Sequence, residues 1–128
     1  MIQFLRVKLH GIRVTDASLH YRGSITIDKA ICTRAGLFEF EFVQIWNKTN
    51  GERLSTYVLY GEENSRCCVL NGAAARKCHA GDELIIAGVI DLKPAEARTL
   101  RPRVLIFNSD NSVDEVIDYD CGADCDIG

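Results

Sequence analysis

The sequence predicts a mainly β protein, a small barrel and not a layered α/β sheet. Three observations carry the prediction. Short apolar or alternating runs recur along most of the chain, and helical stretches span only one or two turns. Between two strand-like runs lies Asn50-Gly51, the strongest short hairpin signal, because both residues tolerate positive φ.

Taken in order, Met1 to Lys8 mixes apolar and basic residues and reads as a strand, and Ile12-Arg13-Val14-Thr15 reads as a second short one. Asp16-Ala17-Ser18 is turn chemistry, with Asp16 able to cap a single helical turn. Ser24 to Ile27 is a strand. Asp28 to Ala35 is a short helix, with Asp28 as cap and Gly36 as stop. In Glu39 to Trp46, Phe38, Phe40 and Phe42 share one phase while Glu39 and Glu41 share the other, the pattern of a half-exposed strand. Arg53 to Tyr60 returns after the hairpin. A loop over 61–65 precedes a short buried strand, Cys67 to Leu70, and Asn71-Gly72 turns into a helical turn over 73–77. Glu83 to Ile90 is an apolar strand, Pro94 to Arg98 a helical turn opened by proline, and Arg103 to Phe107 the last strand. The expected domain is 1–113. Residues 114–128, acidic and Cys-containing, read as a flexible or weakly docked tail.

A chain of 128 residues can bury one real core. No run of about 18 apolar residues occurs, which argues against a membrane span, and the N-terminus lacks a signal-peptide layout. A cytoplasmic protein is the expectation. Net charge is −3, yet the segment from Asp114 onward holds six acidic and no basic residues. The remainder has 15 basic against 12 acidic residues. That mild excess suits a small anionic ligand and is too weak for nucleic acid. The six cysteines show no C-x-x-C spacing and no zinc pattern, so no metal is expected. Cys78-His79 and Cys121-x-x-x-Cys125 are loose soft-metal candidates, and reduced thiols are the expected state.

The candidate for the reacting group is Ser24, the residue where an alternating strand starts after Gly23. Alone, Gly23-Ser24 marks the end of a turn. Its company changes the reading: Lys8-Leu9-His10 and Val14-Thr15 precede it, and Leu19-His20-Tyr21-x-Gly23-Ser24-Ile25-Thr26-Ile27-Asp28 contains it. Asn50-Gly51-x-Arg53-Leu54-x-Thr56-Tyr57, Leu70-Asn71-Gly72-Ala73-Ala74-Ala75 and Gly81-Asp82 follow. In this order and spacing the pieces resemble the bacterial pyruvoyl-dependent aspartate 1-decarboxylases, from about Phe4 to about Phe107. The family often has Arg where this chain has Gly11, and the tail beyond about Asn111 has no counterpart.

The resemblance implies a six-stranded double-psi β-barrel, a homotetramer, and conversion of L-aspartate to β-alanine and CO2 for pantothenate and coenzyme A synthesis. It implies a covalent pyruvoyl cofactor made from Ser24, which forms a Schiff base with substrate. Its making begins when the Ser24 hydroxyl attacks the Gly23 carbonyl. Elimination and hydrolysis then leave a β-chain, 1–23, and an α-chain, 24–128. No Gly-rich phosphate loop suggests pyridoxal phosphate as an alternative electron sink. By the same resemblance Thr56 stabilises charge near the scissile carbonyl and contacts substrate, and Tyr57 returns a proton to the substrate carbon. Lys8 and Arg53 meet the two carboxylates. Asn71, Gly72, Ala73 and Ala74 form a substrate-binding turn. Tyr21 and His10 lie near the processing site, His10 read first as a hydrogen-bonding residue and second as a base. A maturation factor assists processing in some bacteria. Two other readings stand beside this one: a β-barrel binding or assembly protein that never cleaves, and a pyruvoyl decarboxylase of another amino acid such as glutamate.

Overall fold

The computed structural model describes residues 1–19 and 24–119. Its strands are β1 (Ile2–Arg13), β2 (Asp16–Ser18), β3 (Ser24–Asp28), β4 (Phe42–Asn47), β5 (Arg53–Gly61), β6 (Cys68–Asn71), β7 (Glu83–Leu92), β8 (Arg103–Phe107) and β9 (Val113–Asp118). Two short helices, α1 (Lys29–Ala35) and α2 (Pro94–Ala97), and a 3-10 turn over Gly72–Arg76 complete the described chain. The protein is mainly β, as expected. Among the described residues the sheet has nine strands, in the order β2-β6-β3-β5-β4-β7-β1-β8-β9. Pairs β1/β8, β2/β6 and β3/β5 are parallel; the other neighbours are antiparallel.

The core is the inward phase of these strands. Leu9, Ile12, Ile25, Ile27, Ile45, Val58, Leu70, Leu84, Ile86 and Leu105 are fully buried. Each contributes about 1.5–3 kcal/mol relative to exposure. Asp28 shows how local chemistry fixes the frame. It caps α1 by accepting from the Ala30 N–H at 2.8 Å, and it also accepts from the N–H groups of Asn64 and Arg66 at 2.9 and 2.8 Å. One buried carboxylate thus joins the start of α1 to the loop before β6. At the other end of α1, Gly36 takes φ +83 and donates to the Cys32 carbonyl, as its stop position predicted.

Four expectations are corrected. The two N-terminal strands are one, β1. Val7 and Leu9 point inward on odd positions, Ile12 and Val14 on even ones. The change of phase is absorbed between His10 and Ile12 by a register shift at Gly11, whose φ is +87. Asp16-Ala17-Ser18 is a strand paired with β6, not a helical cap; the Asp16 carboxylate accepts from the next N–H instead. The expected strand from Glu39 begins only at Phe42, with Phe38 and Phe40 in the turn before it; all three phenylalanines are about two-thirds exposed, while Val43 and Ile45 fill the core. Finally, Asp114 to Asp118 is not a free tail. It lies in β9, antiparallel to β8, where Val113 and Val116 pack on the core. Cys121 and Cys125 lie outside the described residues.

Candidate active site

Ser24 opens β3 and is buried, 1% exposed. Its Cα partner on β6 is Asn71, whose side-chain amide donates to Ser24 Oγ at 3.0 Å. The same amide nitrogen donates to Thr26 Oγ1 at 3.0 Å. Thr26, two residues on and on the same face of β3, was not anticipated; its alternation with Ser24 was the available signal. On the other side of β3, the parallel register sets Ile25 against Val58, so Ser24 and Tyr57 are the residues just before that pair. Tyr57 in turn faces Phe42 of β4. Asn71, Ser24, Tyr57 and Phe42 therefore form one row across four strands, with side chains on one face.

Asn71 reaches this row because it ends β6 in extended geometry, and Gly72 then turns at φ +63 into the 3-10 turn. That turn carries Ala73, exposed, and Ala74, buried. Thr56, half-buried, faces Val43 and so projects to the opposite side of β5 from Tyr57.

The cationic candidates form a second group on the outward face. Arg53, Trp46, Ile85 and His10 make one row across β5, β4, β7 and β1, while Ser55, Gln44, Ala87 and Lys8 make the next. The Arg53 guanidinium stacks 5.4 Å from the centre of the Trp46 ring. Burial, with Lys8 and then Lys48 nearby, lowers the His10 pKa below its ordinary 6.5; Glu83 opposes this. These surroundings favour the neutral imidazole, which can accept a proton or donate a hydrogen bond. Arg53 is four residues from Tyr57 on β5, roughly 13 Å along an extended strand. Within one chain Asn71 bonds to Ser24, the register puts Tyr57 beside Ser24 on the neighbouring strand, and Lys8, His10 and Arg53 stand in other rows. Tyr21 and Gly23 lie outside the described residues.

Gly81-Asp82 has a supporting role. The Asp82 carboxylate accepts from the buried Asn47 amide at 2.8 Å and from the His79 N–H at 2.9 Å. Burial alone would raise its pKa, yet these donors and the nearby His79 hold it below 3.8. Among the described residues no group of acidic, histidine or cysteine side chains is arranged to hold a metal. Cys32, Cys67, Cys68 and Cys78 are free thiols. Burial pushes Cys32 up to about 12 and Cys78 to about 11. No described helix is long and apolar enough to cross a membrane.

The chain matches the family model described as aspartate decarboxylase over residues 1–114. It is 56% identical over 121 residues to an aspartate 1-decarboxylase of Paramagnetospirillum magneticum, covering 94% of this chain and 67% of the relative. It is 54% identical over 120 residues to the aspartate 1-decarboxylase of Rhodospirillum centenum, covering 94% and 79%. A third relative, the aspartate 1-decarboxylase of Methylobacterium nodulans, is 56% identical over 112 residues, covering 88% and 74%. The matched span includes every strand that builds the Ser24 row, and the chain belongs to the aspartate decarboxylase family.

Proposed function

We propose that the chain is a self-processing, pyruvoyl-dependent enzyme that converts L-aspartate to β-alanine and CO2, in the cytoplasm, for pantothenate and coenzyme A synthesis. The observation that carries this reading is the row of Asn71, Ser24 and Tyr57: a buried strand-opening hydroxyl held by an amide at 3.0 Å, with a phenol on the next strand. Losing CO2 from an α-amino acid leaves an electron pair that needs a sink, and a pyruvoyl carbonyl at position 24 supplies it. The surroundings of Ser24 fit such a group, because position 24 is shielded from water and flanked by an amide donor and a phenol.

Processing is assigned to the chain's own backbone. Ser24 Oγ attacks the Gly23 carbonyl carbon, and the Gly23–Ser24 C–N bond breaks as the acyl group moves to oxygen. Loss of the Ser24 Cα proton then expels Gly23 as a carboxylic acid. Hydrolysis of the remaining enamine releases ammonia and leaves chains 1–23 and 24–128. The resemblance assigns the Thr56 hydroxyl to charge on the carbonyl oxygen and Tyr21 and His10 to the cut, although within one chain Thr56 projects to the opposite side of β5 from Tyr57 and His10 lies in the Arg53 row. In turnover, Tyr57 Oη delivers a proton to the substrate carbon that has lost CO2. Lys8 and Arg53 hold carboxylates, and N–H groups of the Asn71-Gly72-Ala73-Ala74 turn, with Thr56, contact the substrate.

A six-stranded double-psi barrel is the core we assign to the sheet. Supporting it are three parallel pairs between strands far apart in sequence. Backbone bonds from Val14 to Asp82 and from Thr15 to Cys68 also tie the β1–β2 connection to the β7 side and to β6, at 2.9 and 2.8 Å. A homotetramer is likewise proposed. Lys8, His10 and Arg53 stand in rows of their own across β5, β4, β7 and β1, and a second copy supplying the cations would complete the site.

Denaturing mass measurement of freshly purified protein, followed over time, tests the reading. Two pieces divided after Gly23, a carbonyl trapped by borohydride, and β-alanine made from aspartate are expected. A chain that stays whole and traps no hydride, yet still decarboxylates aspartate, would refute it. Cleavage of the purified chain alone would also show that no maturation factor is needed.

A further inference from the structure

We infer that Phe40 and Phe42 are positioning residues for Tyr57, fixing the direction in which its phenol points. The inference rests on Tyr57 as proton donor and extends that reading to the opposite side of its ring from Ser24. The Phe42 ring lies 5.8 Å from the Tyr57 ring, tilted by 56°, and the Phe40 ring lies 6.3 Å away, tilted by 31°. These are attractive aromatic geometries. They are also unusual in place, because both phenylalanines are about two-thirds exposed and contribute little to the core.

The backbone is bent to bring them there. Phe40 adopts φ +70, a conformation that bulky residues rarely take. It is held by a bond from its N–H to the Val58 carbonyl at 2.7 Å, and Val58 N–H returns a bond to the Glu41 carbonyl at 3.0 Å. Carboxylates on the other phase anchor the segment. Glu39 accepts from the Tyr60 N–H at 2.9 Å. Glu41 accepts from the Phe38 N–H and pairs with Arg6. The alternation of Phe and Glu thus does two jobs: the glutamates pin the segment to β1 and β5, and the phenylalanines brace Tyr57. Phe38, equally exposed, packs against Arg6 instead, with the guanidinium 5.9 Å from the ring centre.

A phenol free to swing spends less time aimed at the substrate carbon. Removing either ring should therefore lower kcat without weakening aspartate binding. Losing one aromatic contact predicts a fall of about 3- to 10-fold. Phe40→Ala, Phe42→Ala and the conservative Phe42→Tyr would be compared, with Phe38→Ala as control. Two readouts are needed: steady-state kinetics, and ring-flip line widths of Tyr57 by NMR in chains that also carry Ser24→Ala and so stay uncut. Tyr57→Phe assigns the signal.

Faster Tyr57 ring flipping and lower kcat at unchanged KM in both alanine variants are expected, with Phe42→Tyr and Phe38→Ala like the parent. Unaltered ring motion in Phe40→Ala and Phe42→Ala overturns the inference, as does an equal loss in Phe38→Ala. Wild-type turnover by Tyr57→Phe would instead remove Tyr57 as donor, while the ring-flip result still decides whether the phenylalanines restrain it.

Discussion

Replacing Asn71 by alanine probes a contact on the hydroxyl proposed to react, Ser24 Oγ. Asn71 is buried, and its amide donates two bonds of 3.0 Å, to Ser24 Oγ and Thr26 Oγ1. At about 1 kcal/mol net for each bond, the side chain contributes about 2 kcal/mol from these contacts. In a Ser24→Ala chain, which the proposed chemistry cannot cut, only the bond to Thr26 is left to lose. Asn71→Ala should then cost about 1 kcal/mol in urea unfolding with an unchanged m value, and close to nothing once Thr26 is also valine. In the chain that keeps Ser24, the lost anchor on Oγ should slow self-cleavage about fivefold, the rate equivalent of about 1 kcal/mol. The assay is the fraction of whole chain against time by intact mass. Cleavage at the parental rate, together with no stability loss in the Ser24→Ala background, would show that the amide neither orients the hydroxyl nor supports the strand pair.

Other substitutions test the frame around the site. Asp28→Ala removes a helix cap and leaves the N–H groups of Asn64 and Arg66 without their acceptor; about 3 kcal/mol should be lost in urea unfolding, with Asp28→Asn intermediate. Gly88 sits opposite Val7, and a Cβ there would come within 2.7 Å of Val7 Cγ1. Gly88→Ala should cost about 1–3 kcal/mol, and combining it with Val7→Ala should cost less than the sum. Because the folded pKa of Asp82 is held below 3.8, its contribution is present above that value and fades as pH falls through the folded pKa. Stability measured from pH 5 downward should decline less steeply in Asp82→Asn than in the parent, and equal slopes would contradict this.

Local chemistry made some elements legible. Asp28 and Gly36 bracket α1 because an N-cap carboxylate and a left-handed stop are short-range requirements. Asn50-Gly51 marks the turn between β4 and β5 for the same reason, Gly51 taking φ +80. What failed depended on distant partners. The one-residue shift at Gly11 hides the continuity of β1, since a bulge looks like a strand end when only alternation is visible. Both phases of the segment before Trp46 carry apolar residues, so only its neighbours could decide that Val43 and Ile45 go inside and the phenylalanines outside. Strand β9 escaped because the acidic residues from Asp114 onward mask Val113, Val116 and Ile117, although pairing with β8 is made by the backbone. The site divides in the same way. Ser24 stood out by its place at a strand start, but its contact with Asn71 spans 47 positions and is created only by the β3/β6 register.

The placement of β1 has a consequence for the order of events. This strand is not at a rim: it lies between β7 and β8, and β2 is joined to β6. Every one of those partners belongs to the portion after residue 23. A break between residues 23 and 24 would therefore leave the shorter piece stitched into the middle of the longer one, and the two should travel together until denatured. On the proposed processing, assembly would come before scission, and the step would run one way. Once the separated pieces are unfolded, recovery becomes a bimolecular encounter whose yield depends on concentration, whereas an uncut Ser24→Ala chain can regain its shape alone.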